Sequence, residues 1–337
     1  MALFSYLQFI LQFLPNCISV TIDSFNAFKR IEKFLLAEEL NRTFLTHNKF
    51  DLSEEREAIS IENGNFYWDR DDREDTSAAE SQVCHLVDMN VSINKGEFVA
   101  IIGDIGTGKS SFLYSLLGEM KFPDVGARPK VKISGNMSLV TQKPWIVNDT
   151  VRNNILFGKE FNRKKYEEAI FYASLKRDME LFTHGDKTMI GEKGATLSGG
   201  QKARISFARA LYSDSDILLL DDLLSAVDVH VGKFILKETL LKYCKEKTIL
   251  LVTHAIYYLK YVDKIIIFDN GRIVEQGSFE KLKNSVRFRE ILSLLLEKTD
   301  EAKKKKSVDL LDVDLEEEEK EEEIVIQPGK PSAKKEE

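Results

Sequence analysis

Gly103-Asp104-Ile105-Gly106-Thr107-Gly108-Lys109-Ser110 decides the reading of this 337-residue chain. The pattern is G-x-x-x-x-G-K-S. An apolar run with the length of a buried strand, Phe98 to Ile102, leads into it, and a helical run, Ser111 to Leu117, leaves it. In that strand–loop–helix order, the glycines let successive backbone N–H groups curl around a phosphate. The helix N-terminus adds a partial positive charge. Lys109 can reach β- and γ-phosphates, and the Ser110 hydroxyl can ligate Mg²⁺. The cradle expected to hold a nucleotide runs from Gly103 to Ser111. A glycine-rich turn without a ligand is the competing reading.

Two further stretches bear on the same chemistry. Ile217 to Leu220 is a short apolar strand that ends in Asp221-Asp222. A buried strand delivering a carboxylate at its C-terminal end places an acid near Mg²⁺ in a phosphate-loop protein. Asp221 is expected on the metal, through water. Asp222 either orients or deprotonates an attacking water, or it caps the turn that follows. Leu197-Ser198-Gly199-Gly200-Gln201 precedes a helix. Alone it reads as an ordinary N-cap. Upstream of an aspartate-ended strand, its glycines and hydroxyl read as a second turn that approaches phosphate.

Working outward, Ile59 to Trp68 alternates like a strand, as does Val87 to Ile93, with a hydrophilic loop from Asp69 to Gln82 between them. Residues 160–212 are mostly helical in pattern, and Ile205, Ala208 and Tyr212 share one face. Thr248 to Val252 is another apolar strand. Ile265 to Phe268 and Arg272 to Val274 read as a hairpin turned by Asn270-Gly271. Short apolar strands in strand–loop–helix units predict an α/β core with a mainly parallel sheet. No internal repeat stands out.

Composition is that of a globular protein, 43% hydrophobic and 31% charged. A net charge of −7 gives no support to a nucleic-acid partner. Cys17, Cys84 and Cys244 have neither metal-ligand spacing nor a disulfide framework, which fits a reducing compartment, and the five histidines do not cluster. From Ala2 to Ile22 there is no charged residue. That length could span a bilayer, although Gln8, Gln12, Pro15 and Asn16 make it a mediocre span, and no signal-peptide pattern precedes it. An amphipathic helix and a polar connector are expected over 23–56. Lys303 to Lys306 is basic, and Glu316 to Glu323 holds seven glutamates and one lysine. A tail of this density has little to bury and is expected to be disordered.

These motifs together resemble the nucleotide-binding domain of ATP-binding-cassette (ABC) transporters, in order across about 58–290. Gln142, within Val140-Thr141-Gln142-Lys143-Pro144-Trp145, looks like the family's Q-loop glutamine, which touches Mg²⁺. His254, after the strand Thr248 to Thr253, looks like the switch histidine that contacts the γ-phosphate. Ser225 to Asp228 looks like the D-loop, and Trp68 looks like the aromatic that stacks on adenine. Trp145 to Gly158 and Asp221 to Gly232 are similar to the first nucleotide-binding domain of subfamily C, the multidrug-resistance-associated type.

The resemblance implies a P-loop ATPase fold with a RecA-like core, an antiparallel β subdomain and a helical signature subdomain at about 145–213, preceded by an apolar helix. It implies ATP and Mg²⁺ as cofactors and a membrane location, with this domain on the cytosolic side. It divides the chain into the end of a transmembrane helix and its exit (1–40), a connector (41–57), the nucleotide-binding domain (58–297) and a charged linker (298–337). Its partners would be transmembrane domains and a second nucleotide-binding domain, docked head to tail so that Leu197 to Gln201 closes over the partner's ATP. Export of amphipathic anions follows from the subfamily. Two positions depart from the pattern. Asp222 stands where competent domains carry Glu, which implies slow hydrolysis at this chain's own site, or a regulatory ATP-binding role. Leu223 stands where the subfamily usually has Pro, which implies a slightly looser turn.

Overall fold

The computed structural model describes residues 2–36, 39, 42–48, 56–68, 85–123, 128–191, 194 and 197–297. The loop at 69–82, most of 49–57, Cys84 and the tail from 298 lie outside the described residues.

The N-terminal unit is one helix, α1 (Ala2–Leu35). The uncharged stretch and the amphipathic stretch after it are therefore a single element. Pro15 lies inside it and leaves one carbonyl a turn earlier without its helical donor, yet the helix continues. Thr21 and Ser24 donate their hydroxyls to the carbonyls of Cys17 and Val20, four residues back. Among the described residues, no helix is long and apolar enough to cross a membrane.

The second unit, from Arg42, holds two sheets. The larger has six strands in the order β10-β9-β4-β8-β7-β6. These are β4 (Phe98–Gly103), β6 (Met137–Val140), β7 (Ile217–Asp221), β8 (Thr248–Val252), β9 (Lys264–Asp269) and β10 (Arg272–Gly277). All neighbours pair parallel except β9 with β10. That exception is the hairpin read from Asn270-Gly271. Both residues take positive φ, 47° and 71°, as a type I′ turn requires.

The smaller sheet runs β1-β5-β2-β3, from β1 (Leu45–Asn48), β2 (Glu57–Phe66), β3 (Leu86–Asn94) and β5 (Lys130–Ser134). It is antiparallel at β5-β2-β3, with β1 added in parallel at the β5 edge.

Burial on both faces explains the continuous apolar strands of the larger sheet. Val99, Ile101, Leu219, Leu250 and Phe268 face one way. There they pack with Phe112 and Leu113 of α2 (Lys109–Leu116) and with Ile59, Leu86 and Ile93 of the smaller sheet. Ala100, Ile102, Leu218, Leu220 and Leu251 face the other way, against Ile205, Ala208 and Tyr212 of the long signature helix.

The helical lobe holds α3 (Val151–Leu156), α4 (Arg163–Tyr172), α5 (Lys176–Leu181) and α6 (Gly199–Ser213). Next comes α7 (Val229–Phe234), which passes into a π-helical stretch, Ile235–Tyr243. Cys244 N–H bonds the carbonyl of Thr239, five residues back, and closes that stretch. Two short helices, α8 (Phe279–Leu282) and α9 (Val286–Glu297), follow β10.

Candidate nucleotide site

Parallel strands deliver their C-terminal ends to one edge of the sheet, and the predicted residues gather there. Gly103 ends β4, Asp221 ends β7, and His254 follows β8 by two residues. Gln142 follows β6 and is exposed. The register lines the ends up: Asp221 sits opposite Val252, and Val140 opposite Leu220. This is the crevice in which open α/β sheets bind ligands.

The loop from Gly103 to Ser110 is shaped by its glycines. At Gly103 (φ 151°) a Cβ would lie 2.3 Å from the carbonyl oxygen of Phe268, so no larger residue fits. Gly108 takes the left-handed conformation (φ 101°) at the N-cap of α2 and offers no side-chain cap. The first-turn N–H groups of α2 therefore look to an external anion. Lys109 is buried, and its Nζ donates to the carbonyls of Gly103 (3.0 Å) and Asp104 (2.5 Å). Thr107 Oγ1 donates to the Asp104 carbonyl, and Gly271 N–H donates to the Thr107 carbonyl, which buttresses the loop from the β9–β10 turn. Asp104 Oδ1 accepts from the N–H of Ile105, which is itself exposed, as is Gly106.

Below the loop, Ser110 Oγ donates to Asp221 Oδ1 at 3.1 Å. Burial lifts the Asp221 carboxyl above its ordinary range and Asp222 adds to the rise, while the Ser110 hydrogen bond, Lys109 and His254 oppose it. Asp222 is left-handed (φ 53°) and buried. Its Oδ2 accepts from Ser225 Oγ at 2.7 Å, and the same hydroxyl lies 2.9 Å from the Asp222 carbonyl. Asp222 thus closes the 3₁₀ turn Leu223–Ala226, while its Oδ1 is buried without a hydrogen-bond partner. Leu223 is buried within that turn.

Trp68 comes to the same edge from the smaller sheet. Its Nε1 donates to Ser111 Oγ at 3.0 Å, and its ring meets Tyr114 edge-on at 5.6 Å.

The signature turn is carried by a different element. Ser198 N-caps α6 in a full capping box: Gln201 N–H bonds Ser198 Oγ, and Gln201 Oε1 accepts from Ser198 N–H. Leu197 is buried, Ser198 and Gly199 are exposed, and a Cβ on Gly200 would come within 3.1 Å of the Ala226 carbonyl. Sequence reasoning did not single out what holds this turn. Gln201 Nε2 donates to Asp178 Oδ1, and buried Asp178 pairs with Arg204 at 2.7 Å. Arg204 Nη1 also bonds the Ser174 carbonyl. The available signal was Arg204, one turn along the helix from Gly200, above an acidic residue in a short helix.

Residues 86–225 match the family profile described as ABC transporter. Over 298 residues the chain is 41% identical to "ABC transporter C family member 8" of Dictyostelium discoideum, covering 87% of this chain and 18% of that protein. It is 42% identical over 283 residues to human "ATP-binding cassette sub-family C member 2", covering 83% of this chain and 17% of that one. To "Multidrug resistance protein mrp-7" of Caenorhabditis elegans it is 38% identical over 284 residues, covering 84% and 18%.

Residues 86–225 are an ABC transporter domain, similar to those of subfamily C relatives. The chain spans under a fifth of the length of these relatives. Within the ABC domain, the matched segment begins at the strand beside Trp68 and ends inside the turn closed by Ser225. The ends of β4, β6 and β7 fall on this segment, while Trp68 lies before it and the end of β8, with His254, lies after it.

Proposed function

We propose that this chain is the ATP-binding and ATP-hydrolysing module of a subfamily C transporter. It works head to tail with a second nucleotide-binding domain and powers export of amphipathic anions or related substrates. The observation that carries this is the Ser110–Asp221 contact beneath a glycine-shaped loop, at the C-terminal edge of a parallel sheet.

In this reading the amides of Gly103 to Ser110 and the N-terminus of α2 hold the phosphates, and Lys109 leaves its carbonyl partners to meet the β- and γ-phosphates. Trp68 offers its ring to adenine and Ser111 steadies it. Ser110, Asp221 and Gln142 would hold Mg²⁺. The local charge fits a cation: Asp221 is buried with a raised pKa, and the neighbouring Asp222 carries a buried oxygen without a donor. When bound, Mg²⁺ supplies positive charge against the phosphate oxygens. His254 contacts the γ-phosphate, and Asp222 orients the water.

Ser198, Gly199 and Gly200 close over the partner's nucleotide, while Leu197 and Gln201 keep that turn in shape. Residues 1–40 act as the end of a transmembrane segment and its cytosolic exit. Trp145 and Phe157, which are 61% and 50% exposed and clamped by Arg209, give the membrane domains a docking surface.

A second reading is favoured by one specific contact. With Asp222 Oδ2 held by the Ser225 hydroxyl, the carboxylate is engaged within its own turn, which suits a regulatory ATP-binding domain with slow turnover. A Mg²⁺-dependent ATPase assay on the full chain, with Ser110→Ala and Asp221→Asn as controls, tests the proposal. Nucleotide binding that needs neither side chain would sink it.

A further inference from the structure

The phosphate loop carries a carboxylate of its own. Asp104 is exposed, and its side chain folds onto the loop so that Oδ1 accepts the N–H of Ile105 at 2.7 Å. One amide of the anion cradle is thus already engaged by a protein anion. The Asp104 carbonyl is also one of the two on which the Lys109 ammonium rests, and it accepts the Thr107 hydroxyl as well. Asp104 therefore stands at the end of the loop where the lysine serving the β- and γ-phosphates is held. A negative side chain there opposes the terminal phosphoryl group more than the inner ones, because Coulomb repulsion falls with distance.

We propose that Asp104 sets nucleotide selectivity at this site. Its charge weakens triphosphate binding relative to diphosphate and holds the affinity for ATP below what the cradle would otherwise reach. The inference rests on the nucleotide reading above and assigns Asp104 a discriminating role within it. Asp104→Asn is the informative change, since the amide oxygen can still accept from Ile105 N–H and only the charge is lost. Asp104→Glu keeps the charge as a control.

The test titrates the full chain and both variants with Mg-ATP and Mg-ADP by calorimetry, at low salt and at about 0.5 M salt. For Asp104→Asn, ATP affinity is expected to rise about three- to tenfold and ADP affinity by clearly less. Asp104→Glu should keep the wild-type ratio, and the difference between wild type and Asn should shrink at high salt. An unchanged ATP-to-ADP ratio in Asp104→Asn, with wild type binding both nucleotides, overturns the role of Asp104 and leaves the nucleotide reading standing. A wild-type chain that binds neither nucleotide overturns both.

Discussion

Replacing Asp222 by Glu is the perturbation that most sharply separates a slow site from a merely regulatory one. The aspartate follows β7 directly, in a left-handed conformation, and its Oδ2 accepts from the Ser225 hydroxyl at 2.7 Å. Glutamate adds one carbon–carbon bond, about 1.5 Å of reach. Its carboxylate would clear the Ser225 hydroxyl and extend toward the crevice. A reacting group misplaced by ~1 Å costs on the order of a hundredfold in rate, so the substitution should raise the chemical step by up to about that factor. That corresponds to about 2.7 kcal/mol of barrier.

The same change sacrifices a charged hydrogen bond and asks a less tolerant residue to stay left-handed, which should cost about 1–3 kcal/mol of stability. The assay is single-turnover hydrolysis of radiolabelled Mg-ATP with the chain in excess. It is run at protein concentrations that let two copies associate, alongside urea melts and an ATP titration. A variant that is folded and nucleotide-loaded but no faster than wild type refutes the reasoning, because the slow step then does not lie in that side chain.

Three other outcomes follow from the packing. Gly271→Ala should cost more than about 3 kcal/mol in urea denaturation and weaken ATP binding with it. A Cβ there, at φ 71°, would lie 2.1 Å from the His85 carbonyl, and the Gly271 N–H holds the Thr107 carbonyl of the phosphate loop. Asp178→Ala should cost about 3–5 kcal/mol, because it strands Arg204 in a largely buried position and frees Gln201; thermal melts of the two variants Asp178→Ala and Asp178→Asn would check it. Cys244 is fully buried, and burial pushes its thiol up to about 12. It should resist iodoacetamide in the native state and react in urea, as read by peptide mass spectrometry, while exposed Cys17 reacts in both.

Much of the α/β core was legible because its signals are local. Runs such as Ile217–Leu220 and Thr248–Val252 are apolar on both faces, which only a doubly covered strand requires. The Asn270-Gly271 turn states its own geometry. The strands Leu45–Asn48, Lys130–Ser134 and Met137–Val140 did not announce themselves. They are short, and in Lys130–Ser134 the lysines at 130 and 132 alternate with buried Val131 and Ile133 over too few residues to carry a period. The π-helical stretch Ile235–Tyr243 was likewise invisible, since its i→i+5 bonds follow from packing and not from residue type.

At the candidate site, the residues proposed from the motifs could be picked out beforehand, because phosphate and metal chemistry restrict residue type and spacing together. What could not be read were the contacts that aim those residues. Ser225 on Asp222, Asp178 behind Gln201, and Tyr114 beside Trp68 are all tertiary. The single helix through Pro15 shows the reverse case, in which the local breaker signal was outvoted by the helical residues on either side.

Calorimetric titration of Mg-ATP into the full chain, beside Lys109→Ala, tests the central claim most directly. The account predicts one ATP per chain and a loss of affinity of about tenfold or more in Lys109→Ala, with circular dichroism checking that the variant is folded. Failure of the wild-type chain to bind, or binding that survives the loss of Lys109 undiminished, would contradict the assignment of the Gly103–Ser110 loop as the nucleotide site.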